Sequence, residues 1–168
     1  MRKLIRDVPD FPQPGILFKD ITPLLAEPAG LALSIELMAQ PFRGRDIDAV
    51  VGAESRGFIF GTALANALSV GFIPIRKPGK LPWRTRKQEY SLEYGTDKFE
   101  VHEDALLAGQ NVLLVDDVLA TGGTLEACCR LIRGLGANVY AISVLIELSA
   151  LAGREKVREY QVHSVLRY

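Results

Sequence analysis

The sequence predicts a single α/β domain built on a central, mainly parallel sheet flanked by helices. Three observations predict it. Short apolar runs at residues 48–53, 70–75, 112–115 and 139–146 alternate with helix-length segments, and such alternation produces right-handed crossovers between parallel strands. The length, 168 residues, is ordinary for one domain and enough for a core of its own. The composition, 48% hydrophobic and 24% charged, excludes the disordered and fibrous classes.

Residues 9–28 carry Pro9, Pro12, Pro14, Pro23 and Pro28 beside Phe11, Ile16, Leu17, Phe18, Ile21 and Leu24. Proline fixes φ and removes a donor, so this stretch reads as an ordered loop of short extended or turn pieces. Its many large apolar groups predict a flap packed on the domain. Residues 31–42 read as an amphipathic helix, with Leu33, Leu37 and Met38 near helical spacing. A strand at 48–53, a turn at 54–57, an Ala- and Leu-rich helix at 58–68 and a strand at 70–75 follow. Residues 76–98 form a polar stretch broken by Pro78, Gly79, Pro82 and Gly95. A connection that long is usually a lid or a binding loop.

The strand at 112–115 ends at Asp116 and Asp117. The helix at 124–133 puts Leu125, Cys128, Ile132 and Leu135 on one face, with Gly134 and Gly136 as stops. A strand at 139–146, a short helix at 154–160 and a strand at 162–166 complete the chain. Parallel sheets bind ligands beyond the carboxyl ends of their strands. The turns at 54–57 and 116–124 are therefore where chemistry is expected.

The formal net charge is zero, so no global field draws the protein to nucleic acid or membrane. No apolar run reaches the roughly 18 residues of a membrane span. The start is charged without a following apolar region, which excludes secretion and predicts a cytoplasmic protein. Cys128 and Cys129 are neighbours with no His nearby, poor for a disulfide or a zinc site. They read as small apolar helix residues. His102 and His163 are isolated and receive no catalytic role.

The strongest chemical signal runs from Val112 to Thr124. An apolar strand delivers two carboxylates, and the loop Ala120-Thr121-Gly122-Gly123-Thr124 opens a helix. Glycines let successive N–H groups point at one anion, and the helix N-terminus adds its positive end. Thr121 and Thr124 add hydroxyl donors. The carboxylates suit sugar hydroxyls or a hydrated Mg²⁺. A phosphate cradle beside diol acceptors describes a ribose-5-phosphate site. Helix capping alone does not call for two consecutive Asp followed by Thr-Gly-Gly-Thr. A second cluster, Arg76, Lys77, Lys80, Arg84, Arg86 and Lys87, meets no acid before Glu89. In a neutral protein it steers a polyanion locally.

The 112–124 segment resembles the phosphoribosyl pyrophosphate (PRPP) signature of the type I phosphoribosyltransferases. The likeness extends along nearly the whole chain to the adenine phosphoribosyltransferases, carried by residues 11–23, Glu54-Ser55-Arg56-Gly57-Phe58, residues 76–82 and Tyr90-Ser91-Leu92-Glu93-Tyr94-Gly95. It implies the type I fold, with a hood over residues 1–28 and a long mobile lid loop over 77–98. It implies transfer of the phosphoribosyl group of PRPP to adenine, Mg²⁺ as cofactor and a homodimer. By the same resemblance, Asp116 and Asp117 hold the ribose hydroxyls, with Mg²⁺ carried mainly by PRPP near them. Ala120, Thr121, Gly122, Gly123 and Thr124 hold the 5′-phosphate. Ser55, Arg56, Arg76, Lys77 and Lys80 reach the pyrophosphate, with a non-proline cis peptide near Glu54–Ser55.

Glu93 and Arg56 are the catalytic residues that the resemblance implies, Glu93 as general acid/base near purine N7. Leu17, Phe18 and Lys19 form the hood over the base, with Leu148 on the other side. Lys19 replaces an Arg common there and loses its planar fork. Residues 83–88 also depart from the family pattern. Ala120 stands where 6-oxopurine relatives carry Asp, which disfavours hypoxanthine and guanine. The alternatives are a transferase for another base, such as xanthine or a pyrimidine, and a PRPP-sensing regulator. The latter adds a DNA-binding domain, of which the short Pro-rich start gives no sign.

Overall fold

The computed structural model describes residues 1–91 and 96–168, and side chains outside 90–97. The N-terminal segment is more regular than its prolines suggest. Strands β1 (Arg6–Pro9) and β2 (Leu17–Asp20) pair antiparallel, with Arg6 opposite Asp20 and Pro9 opposite Leu17. Proline is tolerated there because this two-stranded ribbon has an open edge. Helix α1 (Thr22–Ala26) and helix α2 (Pro28–Ala39) follow, each with proline in its first turn, where a missing N–H loses nothing.

Helix α2 buries Gly30, Ser34, Met38 and Ala39; of the expected stripe Met38 is buried, Leu37 half-buried and Leu33 exposed. Close approach selects the small face. A Cβ at Gly30 would stand 2.7 Å from Leu4 Cδ1, so the N-terminal turn seats directly on the helix.

Strand β3 (Ala49–Ala53), helix α3 (Gly57–Leu68) and strand β4 (Gly71–Ile75) match the reading closely. The stretch expected as an irregular loop instead contains strands β5 (Thr85–Ser91) and β6 (Thr96–His102), paired antiparallel from Thr85–His102 to Ser91–Thr96. Phe99 and Val101 alternate into the core and anchor the hairpin. Strand β7 (Asn111–Leu119), helix α4 (Gly123–Gly134), strand β8 (Asn138–Glu147) and strand β9 (Val162–Arg167) complete the domain. The expected short helix at 154–160 is a 3-10 turn, Gly153–Val157.

The central sheet has the order β4-β3-β7-β8-β9, and every neighbouring pair is parallel. Both faces are covered, so its strands read as nearly unbroken apolar runs. One core gathers Val50, Leu113 and Val115 with Met38, Phe60 and Leu64 of α2 and α3. The other gathers Val51, Val112 and Leu114 with Leu125, Cys128 and Ile132 of α4 and Phe99 of the hairpin. Both cysteines are buried free thiols, pushed up by burial, Cys129 to about 12. Their reading as small apolar residues stands.

Chain order places β3 next to β4 on one side and β7 on the other. The crossover direction reverses between β3 and β7, and a parallel sheet opens a crevice at such a point. Among the described residues no helix is long and apolar enough to cross a membrane.

Candidate active site

The turn after β3 and the loop after β7 meet at this crevice. Strand β7 runs two residues past the expected end at Asp117, because β8 continues to pair with it through Leu119–Glu147. Asp116 and Asp117 are therefore fixed by the sheet rather than by a loop, and both are buried. The Asp117 N–H donates to Asp116 Oδ1 at 2.9 Å. Burial pushes Asp116 well above the usual carboxylate range, and the adjacent Asp117 charge pushes the same way.

Arg56 caps α3 and donates from Nε to Asp117 Oδ2 at 2.5 Å, joining the two sides of the crevice. Its guanidinium also lies over the Phe18 ring at 5.1 Å. Helix α3 approaches closely because residue 57 is glycine: a Cβ there would stand 2.9 Å from Asp116 Oδ1. The Glu54–Ser55 peptide is cis, as the resemblance implied.

A cleft of about 510 Å³ opens here, lined on one side by Leu17, Phe18 and Lys19 of β2 and by Leu148 and Leu151. Glu54, Ser55, Arg56, Lys77, Asp116, Asp117, Ala120 and Thr124 are among the residues that line the rest. Thr121, Gly122 and Gly123 belong to an adjoining hollow of about 60 Å³, ringed by residues 118–125. There Gly122 takes φ +81°, which a glycine adopts freely, and starts α4. Free N–H groups at that helix end favour an anion.

Arg76 and Lys80 do not line the cleft. Arg76 is engaged by Glu54, with Nε 3.2 Å from Oε2 and Nη2 3.4 Å from Oε1, and its Nη1 donates to the Lys80 carbonyl. Lys80 itself is exposed. Glu93 lies outside the described residues. Lys19 lines the cleft, but its ammonium is bonded to Asp7 at 2.6 Å and sits 4.2 Å from the Tyr168 ring centroid. Its charge is directed at those groups. Neither His102 nor His163 lines the cleft.

Several residues of the site received no role from the sequence, Glu54 and Gly153 foremost. Glu54 lines the cleft, binds Arg76 and accepts the Lys77 N–H at 2.9 Å. Burial raises its pKa, but the Lys77 N–H and the Arg76 guanidinium outweigh burial and hold it below the ordinary value. Gly153 supports the phosphate-type loop from behind. A Cβ on it would stand 2.0 Å from the Ala120 carbonyl oxygen and 2.8 Å from Gly122 N. Glu54 was visible beside Ser55–Arg56, but its partner lies 22 residues on. Gly153 had no motif to mark it.

Comparison with known proteins agrees with this geometry. The model of the phosphoribosyl transferase domain matches residues 20–166. An adenine phosphoribosyltransferase of Methylococcus capsulatus is 56% identical over 168 residues, covering 100% of this chain and 98% of the relative. The chain belongs to the adenine phosphoribosyltransferase family. A second relative with that name, from Rhodopirellula baltica, is 55% identical over 100% of this chain and 82% of its own length. The crystal structure of the adenine phosphoribosyltransferase of Thermoanaerobacter pseudethanolicus superposes with a TM-score of 0.97 at 50% identity, covering 99% of this chain and 97% of the other. The Saccharomyces cerevisiae enzyme, solved with an imino-altritol bisphosphate and adenine, gives 0.93 at 41% identity, over 98% and 96% of the two chains. The fold expected from the resemblance is the fold of this family.

Proposed function

We infer that this protein transfers the 5-phosphoribosyl group of PRPP to adenine, giving AMP and pyrophosphate, in purine salvage. The observation that carries the reading is one cleft joining four parts of the reaction. It holds a carboxylate pair, the start of a phosphate-type loop, the cations Arg56 and Lys77, and the apolar walls Phe18 and Leu148.

In this reading Ala120, Thr121, Gly122, Gly123 and Thr124 bind the 5′-phosphate with N–H and hydroxyl donors. Asp116 and Asp117 accept the ribose hydroxyls and hold C1 in line for purine N9. Arg56, now on Asp117, turns to the pyrophosphate when PRPP arrives. Ser55 and Lys77 bind the same group, and Lys80 reaches it from the rim. Arg76 holds Glu54 and so fixes the Lys77 backbone. These donors stabilise the negative charge that grows on the leaving group. Phe18 and Leu148 stack on the two faces of the purine, with Leu17 and Lys19 extending the hood. Glu93, carried by the 77–98 lid, exchanges a proton at N7. Closure of the lid excludes water that would hydrolyse PRPP.

Mg²⁺ fits the donor set. Among the described residues no cluster of three His, Cys, Asp or Glu forms a metal cage. An ion carried by PRPP would call on one or two protein carboxylates, which Asp116 and Asp117 would provide. When bound, it neutralises charge on the pyrophosphate oxygens. The protein acts as a cytoplasmic homodimer. Half-exposed Phe11 and Leu17 in the hood supply apolar surface for a second copy.

The test is AMP formation from PRPP, Mg²⁺ and adenine. Activity is expected to fall by at least about 10²-fold in Glu93→Ala and in Asp116→Asn/Asp117→Asn. Wild-type turnover in the double Asp variant would overturn the site assignment.

A further inference from the structure

Leu148 and Leu151 line the cleft on the purine side, and Gly153 backs the phosphate-type loop. All three belong to one short turn between β8 and β9. Its path is irregular: Leu148 lies outside helical and strand conformations, and Ala152 takes φ +49°. Backbone bonds tie its first half to the sheet and the chain end. The Leu148 N–H donates to the Leu119 carbonyl at 2.9 Å, and the Ser149 N–H to the Tyr168 carbonyl at 2.8 Å.

The flanks of the turn are closed by one charged cluster. Arg154 donates from Nε to Glu147 Oε1 at 2.9 Å and from Nη2 to Glu147 Oε2 at 2.6 Å. Its remaining donors reach the Val162 carbonyl and the Ser164 hydroxyl. Ser164 donates to Glu147 Oε2 at 2.5 Å, and Arg167 Nε lies 3.3 Å from the same oxygen. The Glu147 side chain is only 9% exposed. A two-pronged Arg–carboxylate pair fixes orientation as well as distance. Here it spans residues 147 and 154, the two ends of the turn.

We propose that the Arg154–Glu147 pair is a positioning clamp for both substrates, setting the 148–153 turn so that the purine wall and the 5′-phosphate loop are held as one unit. Neither residue lines the cleft, so both act through the turn: Leu148 and Leu151 carry the effect to adenine, and Gly153 carries it to Ala120 and Gly122. The proposal rests on the site reading above.

The test uses Arg154→Met, Arg154→Lys and the milder Ser164→Ala, with KM for PRPP and for adenine and kcat measured separately. In Arg154→Met both KM values are expected to rise about tenfold, with kcat at saturation within about threefold of wild type. Arg154→Lys keeps the charge without the fork and recovers part of both KM values. Ser164→Ala shifts both in the same direction by about two- to threefold, and it serves where Arg154→Met does not fold. Arg133→Met, which breaks the exposed Arg133–Glu159 pair, leaves both KM values unchanged.

Unchanged KM values in Arg154→Met and Ser164→Ala overturn the proposal. A rise in only one KM overturns the coupling, and an equal rise in Arg133→Met reduces it to general destabilisation. Failure of the underlying site reading shows differently, as an Asp116→Asn/Asp117→Asn variant that keeps its KM for PRPP.

Discussion

Replacing Gly153 by Ala puts one methyl group into the contact that shapes the phosphate-type loop. Glycine is needed there for space: a Cβ would stand 2.0 Å from the Ala120 oxygen, against the 3.4 Å where ordinary contact begins. The two backbones must therefore separate by about 1.4 Å, and both partners are main chain with no flexible tip to yield. Overpacking of this kind costs roughly 1–3 kcal/mol of stability. For a chain of 168 residues that lowers Tm by about 3–8 °C. The larger effect falls on function, since a displacement near 1 Å at a substrate-positioning group costs about 10²-fold. With adenine saturating and PRPP varied, kcat/KM for PRPP is expected to fall by about that factor. Gly71→Ala is the control, with nothing within 4 Å of the added carbon. A Gly153→Ala protein that keeps its kcat/KM for PRPP would refute the reasoning, because the loop could then move freely without loss of binding.

The remaining predictions concern charge. Asp116→Asn is expected to raise Tm at pH 7 while weakening PRPP binding, since burial opposes the Asp116 charge; a lower Tm would contradict it. A raised folded-state pKa means that the native state holds its proton longer. The Asp116 contribution to stability is therefore fully present below the unfolded value and is lost as pH rises. Glu147 has the opposite sign. Arg154 hydrogen bonding holds it at about 2, against 4.5 unfolded, so its contribution is present above about pH 4.5 and lost toward pH 2. Glu147→Gln should flatten acid denaturation in that window. Glu54→Gln is expected to lower kcat/KM about tenfold by releasing Arg76 and the Lys77 N–H. Steady-state kinetics at saturating adenine check it, and unchanged kinetics would remove Glu54 from the site.

The central sheet was legible because each of its strands is an apolar run with both faces covered, and the crossover helices have their own period. The carboxylate pair and phosphate-type loop were legible because one contiguous segment carries both. The hairpin at 85–102 was not, since residues 85–91 read Thr-Arg-Lys-Gln-Glu-Tyr-Ser and lack an apolar alternation. Among the described side chains its buried anchors, Phe99 and Val101, sit on the partner strand. The hood's strands were hidden behind their prolines. The bond between Arg76 and Glu54 was not legible because sequence shows each charge but not its partner; they meet only once β3 and β4 lie side by side. The Glu147–Arg154 side-chain pair and the Gly153 backbone contact were invisible for the same reason, as each partner is met only in the folded chain.

The measurement that tests the account most directly is nucleotide formation with PRPP and Mg²⁺ in the presence of adenine, hypoxanthine, guanine, xanthine, uracil or orotate. The account predicts AMP from adenine, with kcat/KM for every other base lower by at least about 10²-fold. A preference for another base would contradict the specificity. No nucleotide from any base, with PRPP still bound, would contradict the enzymatic reading and leave a PRPP sensor.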